Sequence, residues 1–588
     1  MGKLRRSLKI SEGQWLLVSS VFVGAAAGLA AFFFSSLIHY FHHLFFEIAL
    51  SPFGGAGKYL VIVVPALGGL LIGPIVTFVS PEAKGHGVPE VMYAVARRDG
   101  RIRPIVAAAK SIASSICIGS GGSVGKEGPI VQIGSAMGSS IAQLFRMPSE
   151  LTKMLVACGA AGGIAATFGT PIAGVMFAME VILNDFTARA FSMVVISAVT
   201  ATAVAGVTLG RAAFFQTPEY DLVSPWELLF YAALGILAAV CARIFVKILY
   251  ASEDWFEKLP IPEYLKPALG GLALGVIGFF LPQVFGTGHE ITEAALWGQL
   301  TVGLLVVLFL FKMAASSLTL GSGGSGGVFS PSLFIGAMLG GGVGHLIHSQ
   351  FPRITADSGA YAMVGMAAFF AGATRAPITA IVILFEMTHD YRIILPVMIA
   401  SVASTLVSAR LSRDTIYTLK LRRRGIDIEV EREAGVLASM RVADVMTRDV
   451  ETASESSSLD DLIKQMGSSR HSGFPVVNGK NELIGMVTAQ QVYEALPLRH
   501  ELGKVIVVKE VMTSRPQVAH PDERLDEIVR KLHLSETDHL PVLERAERGS
   551  PGKLVGIITH ADVMKAYRKL LEQARESHQT AGFTGMGL

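Results

Sequence analysis

The chain has 588 residues, 51% of them hydrophobic and only 16% charged, with a formal net charge of +3 and a mean hydropathy of +0.50. Soluble globular proteins carry about 25% charged residues, so this composition argues against an ordinary water-soluble enzyme and points to the membrane. So small a net charge gives no support to nucleic-acid binding. Cys117, Cys158 and Cys241 lie in apolar runs without paired spacing, as small buried hydrophobes do, and indicate neither a disulfide framework nor a metal site.

The basic segment 1–13, "MGKLRRSLKISEG", precedes an apolar run with no small-residue cleavage site. It reads as a cytoplasmic flank and not a removed signal. From there to about Leu411 the sequence is a succession of apolar segments. "WLLVSSVFVGAAAGLAAFFFSSLI" and "LLFYAALGILAAVCARIFVKILY" are long enough to cross a bilayer, which takes about 20 apolar residues. "PIVQIGSAMGSSIAQLF" and "PSLFIGAMLGGGVGHLI" read as too short, and each follows a glycine loop.

Those two loops are copies. "GSGGSVGKEGPIVQIGSAMG" (Gly119 to Gly138) and "GSGGSGGVFSPSLFIGAMLG" (Gly321 to Gly340) agree at about half their positions without a gap. Further on, "GAAGGIAATFGTPIAGVMFAMEV" from Gly159 aligns with "GMAAFFAGATRAPITAIVILFEM" from Gly365, pairing Pro171 with Pro377 and Glu180 with Glu386. The chain therefore holds two membrane repeats, 14–210 and 226–412. Short, glycine-interrupted apolar segments at matching places in two halves point to a transporter's binding site. The two repeats are inverted only if each crosses the membrane an odd number of times. Much of the glycine lies with alanine and serine inside these segments, which favours close helix packing.

Segment 413–437, with "RRRGIDIEVEREAG", reads as a linker, and its arginines place both chain ends in the cytoplasm. Two copies of a smaller, more polar unit follow, at 438–498 and 507–570, before a flexible tail at 571–588. Each has Val-Met-Thr near its start and Gly-apolar-apolar-Thr near its end. The pattern resembles a tandem pair of CBS domains along its whole length.

The chemistry concentrates in the glycine loops. A phosphate-binding Walker loop fails here: Ser120 stands where its first glycine belongs, and Glu127 follows Lys126 in place of a hydroxyl. A helix start fits better. Glycines release the chain to turn, Pro129 suits the first helical turn, and the unpaired N–H groups carry partial positive charge. Such an end holds an anion without the full charge that would trap it. Phe329 replaces the carboxylate in the second copy, so one loop alone brings its own anion. A carboxylate in a membrane is costly and usually functional. Glu127 can occupy the anion's place and must leave it when protonated.

Together "GHGVPE" (85–90), "GKEGP" (125–129), "GGVFSP" (326–331) and "DTIYTLKLRRRG" (414–425) resemble the CLC family of chloride channels and transporters, in family order across the whole membrane part. The resemblance implies an all-α polytopic membrane protein with two inverted-topology repeats and many tilted and re-entrant helices, followed by the α/β CBS pair. It implies a homodimer in the lipid bilayer, with one pathway per subunit for chloride or a related monovalent anion. Glu127 is then the gating residue. Gly85, His86, Gly87, Lys126, Gly128, Val328, Phe329 and Tyr417 are the anion-binding set, Val328 and Phe329 acting through backbone N–H groups. A prokaryotic plasma membrane is the expected location.

Two residues depart from the family pattern. His86 stands where the family usually has serine. In the family this position tracks anion choice, proline going with nitrate and methionine with fluoride, so selectivity is left open. Neutral imidazole can donate one N–H, and protonated imidazole would hold anions more tightly. Alternatively His86 points aside. The second departure is Val181, in "FAMEVILND", where family exchangers usually carry an internal proton-passing acid. Glu180 cannot substitute, because adjacent helix residues point about 100° apart, and its twin Glu386 gives it a structural look. The expectation is passive, channel-like conduction, with proton-coupled exchange as the alternative.

No cofactor is required by this reading, but an adenine nucleotide could bind the CBS pair. Its ribose pattern is met by Gly556, Thr559 and Asp562 in the second unit. The first has Thr488 but Gln491 in place of the acid, and a plain helix-capping role for Asp562 is the alternative. A membrane-anchored sensor regulated by the CBS units, or a magnesium transporter, fits less well: no soluble segment is left for catalysis, and the membrane carboxylates are singletons. An enzyme is not expected.

Overall fold

The computed structural model describes residues 12–48, 57–208, 210, 214–427, 440–469, 471–480, 482–498, 505–534, 538–545, 552–566 and 568. Of the sequence readings above, most of the N-terminal flank, the tail at 571–588 and linker residues 428–437 lie outside the described residues. The chain divides into two compact units, Met1–Ile428 and Glu429–Leu588.

The first unit is a helical bundle. Among the described residues, seven helices are long and apolar enough to cross a membrane. They include Phe329–Gln350, which at 22 residues is longer than its apolar core suggested. The sequence reading took only the apolar stretch 331–347, and the helix runs past it at both ends and through its glycines. Gly336 shows why glycine is needed there: a Cβ would lie 2.4 Å from Gly365 O. The equivalent Gly134 would put its Cβ 2.1 Å from Gly159 O. Glycine thus lets Glu127–Leu144 press on Ser149–Phe168, and Phe329–Gln350 on Ser358–Thr374, backbone against backbone.

Both halves then repeat the same stop and restart. Ser149–Phe168 ends at Gly169 (φ 70°) and Ser358–Thr374 at Arg375 (φ 55°), each followed by a helix that opens on proline. Arginine adopts the left-handed conformation at some cost. Its guanidinium offsets this by donating to the Arg413 and Ser408 carbonyls at 2.9 and 3.2 Å.

The reopened helices are capped across the repeat boundary. Glu386 accepts from Ile172 N (3.0 Å) and Ala173 N (2.6 Å), at the start of Pro171–Phe177. Glu180 accepts from Ile378 N (3.2 Å), Thr379 N (2.8 Å) and Thr379 Oγ1 (2.7 Å), at the start of Pro377–Thr388. Each half supplies the carboxylate that the other half's helix dipole attracts.

Of the segment read as a linker, 414–427 packs on this first unit. Ile416 N donates to Ala373 O (2.9 Å), Leu421 is fully buried, and Arg424 pairs with Glu90 at 2.5 Å.

The second unit is α/β. Gly473–Val477 pairs antiparallel with Leu483–Thr488, and His539–Leu543 with Leu554–Thr559. The two Val-Met-Thr segments are exchanged: Thr447 bridges to Ile557 of the second copy, while Thr513–Ser514 pairs with Leu483–Thr488 of the first. The motif glycines make room for this. A Cβ on Gly556 would meet the Met446 sulfur at 2.7 Å, and one on Gly485 the Met512 sulfur without clearance.

Candidate functional site

Three chain segments meet inside the membrane unit. Two are the glycine loops. Gly125 N donates to Gly327 O (2.8 Å) and Gly327 N to Gly125 O (2.6 Å), an antiparallel bridge between equivalent positions. A local two-fold relation between the repeats produces such a pair. The third segment carries His86: Gly85 N donates to Gly324 O (3.0 Å) and Gly326 N to Gly85 O (3.3 Å). Gly85 and Gly87 have φ of 77° and 81°, so the turn around His86 needs glycine on both sides. Gly128 is held by space, since a Cβ there would fall 2.2 Å from His86 O.

A buried lysine fixes this third segment from behind. Lys110 Nζ donates to Ala83 O (3.0 Å) and Gly85 O (2.6 Å), and Ser325 Oγ also donates to Ala83 O (2.7 Å). A buried ammonium needs such acceptors. Lys312 does the same in the other half, donating to Val284 O and Gly286 O at 2.9 Å each. The offset that superposes Gly119 on Gly321 also superposes Lys110 on Lys312. A third duplicated element follows: the tight turns Pro81–Ala83 and Pro282–Val284 lead into Gly85-His86-Gly87 and Gly286-Thr287-Gly288, all four glycines at positive φ. The sequence reading missed both lysines and this pair of turns. Extending the repeat alignment toward the N-terminus of each half is the signal that finds them.

Glu127 opens the helix Glu127–Leu144 and is 1% exposed. Its carboxylate reaches across to the other repeat, accepting from Ser330 N (3.2 Å) and from the Ser330 hydroxyl. Ser330 lies in the first turn of Phe329–Gln350, so the carboxylate occupies the place where that helix end would hold an anion. Ser330 stands in the "GGVFSP" motif but had no role in the sequence reading, because nothing local links it to a residue in the other half.

His86, Glu127, Gly128, Val328, Phe329 and Tyr417 line one constricted pocket, together with the apolar side chains of Val88, Val131, Ile164 and Phe177. His86 does not point aside; it is 3% exposed, with its ring centroid 5.9 Å from that of Tyr417. Tyr417 is itself buried, which a belt aromatic at the membrane surface would not be. His86 Nε2 lies 3.4 Å from Tyr250 Oη, which donates to Ile416 O at 2.7 Å. Tyr250, on the long helix Glu227–Lys258, was not foreseen.

Not every candidate joins the pocket. Gly85 and Gly87 shape the loop without lining it. The Lys126 ammonium sits 5.4 Å over the Phe214 ring and lines a separate, wider cavity with Ser330 and His289. Val181 is buried in the main apolar core, and Glu180 beside it is committed to the Pro377–Thr388 helix. In the second unit, Asp562 accepts from Thr559 N (3.0 Å) and Thr559 Oγ1 (2.8 Å), and Gln491 makes the matching contact to Thr488 N (2.8 Å). Both are helix-capping arrangements, reached with either side chain.

Comparison with known proteins agrees with this architecture. The family model described as voltage gated chloride channel matches residues 68–409, and the CBS domain model matches 442–498 and 508–569. The H(+)/Cl(-) exchange transporter ClcA of Vibrio cholerae is 33% identical over 427 residues, covering 69% of this chain and 89% of that protein. A ClcB-like protein of Ralstonia nicotianae is 34% identical over 373 residues, covering 62% and 86%. Among solved structures, a slow cyanobacterial Cl-/H+ antiporter superposes with a TM-score of 0.65 at 26% identity, covering 70% of this chain and 97% of that one. A eukaryotic CLC transporter, at 24% identity and TM-score 0.61, shares the fold over 93% of this chain and 97% of its own. The chain therefore belongs to the CLC family of voltage-gated chloride channels and transporters, an integral membrane protein for anion transport that carries a C-terminal pair of CBS domains.

Proposed function

We propose that this protein conducts chloride passively through the pocket between the two glycine loops, with Glu127 as its gate. The observation that carries the gate is the carboxylate lodged on Ser330 at the N-terminus of Phe329–Gln350. Protonation removes its charge, weakens its hold on that helix end and frees the place for an anion. Support for uncoupled conduction comes from the inner side. Val181 offers no proton acceptor, and both Glu180 oxygens already take hydrogen bonds from Ile378 and Thr379. A second reading is proton-coupled chloride exchange, favoured by the 33% identical Vibrio cholerae relative being named an exchanger. Homodimeric assembly, with one pathway per subunit, goes with either reading, as does an adenine nucleotide at Thr559 and Asp562 as a regulatory ligand of the CBS pair.

Reconstitution in liposomes with a chloride gradient and an imposed pH gradient tests the choice. A reversal potential that follows chloride alone is the expected result. Uphill proton movement driven by chloride would establish exchange instead.

A further inference from the structure

We infer that His86 binds a proton together with each anion, because Tyr250 fixes the ring in the tautomer that leaves its other nitrogen bare. This rests on the reading that the pocket of Glu127 is the anion site.

Tyr250 Oη has one proton to give. Ile416 O, at 2.7 Å, can only accept, so that proton is committed there. Facing His86 Nε2 at 3.4 Å, the phenol oxygen is then an acceptor, and Nε2 must carry the ring's hydrogen. With Nε2 facing Tyr250, Nδ1 is the unprotonated nitrogen of the neutral ring. It is buried and has no hydrogen-bond partner, on a residue that lines the pocket. A bare ring nitrogen presents a lone pair, which repels an anion. A serine hydroxyl in this place could turn its proton to the anion without changing charge; histidine can do so only after a proton from solvent has bonded to Nδ1.

The neighbouring charges couple the two events. Lys110 Nζ rests on Gly85 O at 2.6 Å, and Lys420 Nζ lies 2.5 Å from where a Gly85 Cβ would stand. Arg423 stacks 5.3 Å over the Tyr250 ring, and Arg424 is paired with Glu90 at 2.5 Å. On the pocket itself, Glu127 supplies the negative group and Tyr417 a phenol. With Glu127 neutral, a positive charge on the His86 ring of an empty site meets the lysines unopposed; an anion in the pocket compensates it, as the Glu127 carboxylate does when it is ionised. Proton and anion then favour each other by the same factor, whichever binds first.

Isothermal titration of the full-length protein in detergent with potassium chloride tests this. It is run in buffers of different ionisation enthalpy and on a Glu127→Gln background, which removes the gate's own proton uptake. The expected result is close to one proton taken up per chloride, with affinity falling about tenfold per pH unit while the free ring is neutral. Adding His86→Ser should leave chloride binding without proton uptake. Adding Tyr250→Phe should flatten the pH dependence, because the ring can then place its hydrogen on Nδ1. Chloride bound by Glu127→Gln with no proton uptake overturns the inference and leaves the proposed function standing. Proton uptake unchanged by Tyr250→Phe also overturns it. Failure of both the unaltered protein and Glu127→Gln to bind chloride overturns both readings.

Discussion

The two halves of the membrane unit share their glycine loops, their buried lysines, their reopened helices and their exchanged carboxylate caps, yet only one half supplies a charge to the pocket. Glu127 and Phe329 occupy equivalent positions. Glu127 reaches across to Ser330 of the other loop, while Phe329 packs 4.2 Å from Phe370 and 5.7 Å from Phe168, centroid to centroid. The duplicated scaffold aims two helix starts at one place. A single unmatched residue then puts a carboxylate at one start and a packed phenyl ring at the other. Symmetry builds the site, and its function rests on where symmetry is broken.

The largest expected effect comes from removing that asymmetry. Hydrogen bonds to a charged group are worth about 1.5–3 kcal/mol, so Glu127→Gln should raise chloride flux at neutral pH by about tenfold or more in a liposome efflux assay. The pH dependence left in that variant should be the one set by proton uptake at His86, and adding His86→Ser should remove it. Unchanged flux would mean that the carboxylate on Ser330 does not close the pathway.

The lysine cradles sharpen the comparison next. Lys110→Met and Lys312→Met each remove two charge-assisted hydrogen bonds, and each should lower stability by about 3 kcal/mol in detergent melts. Only Lys110→Met should also weaken chloride binding, because its carbonyl partners lead directly into His86. An equal loss of binding in both variants would show that the halves are coupled too tightly to assign the site to one cradle.

A smaller, symmetric effect is expected at the caps. Glu180→Gln and Glu386→Gln should each cost about 1 kcal/mol of stability, by nearly the same amount. Glu180→Gln should leave any response to a pH gradient unchanged; its loss in that variant alone would mark Glu180 as a proton carrier.

The smallest effect lies in the CBS unit. Burial pushes the His539 imidazole below its ordinary value near 6.5, against the opposing pull of Asp538 and Asp562, with His471 adding to the lowering. Its ring also meets Ser472 Oγ at 3.1 Å. The unfolded chain therefore binds a proton more readily than the folded one. This contribution to stability is complete above about pH 6.5 and is lost as pH falls from there toward the folded value. Melting curves from pH 7.5 to 5 should show a shallow decline, and His539→Gln should reduce its slope. A decline of the same slope in both would assign it to other groups.

Much of this was legible from residues alone. The doubled "GSGG" loops, the Pro171 and Pro377 restarts and the two Val-Met-Thr units are local patterns, and the backbone obeys them locally. Glu127 was legible because a lone carboxylate in an apolar loop is expensive enough to need a reason. His86 and Val181 were legible as departures from a family pattern. Ser330 was not, although it stands one residue from Phe329, and neither was Tyr250, which lies inside a long apolar run that reads only as a membrane crossing.

By itself the sequence determined the membrane class, the duplication, the order of elements and the helix starts, since composition, glycine freedom and proline geometry act within a few residues. Tertiary structure alone decided which of those starts face one another. A hydrogen bond near 3 Å requires two segments to be positioned together, and Glu127 finds Ser330 across 203 residues and Tyr250 finds His86 across 164. It also took Lys126 out of the pocket and onto Phe214, and spent Glu180 on the opposite helix. Side-chain type is written along the chain, but its partner is set by where the folded backbone brings distant segments together.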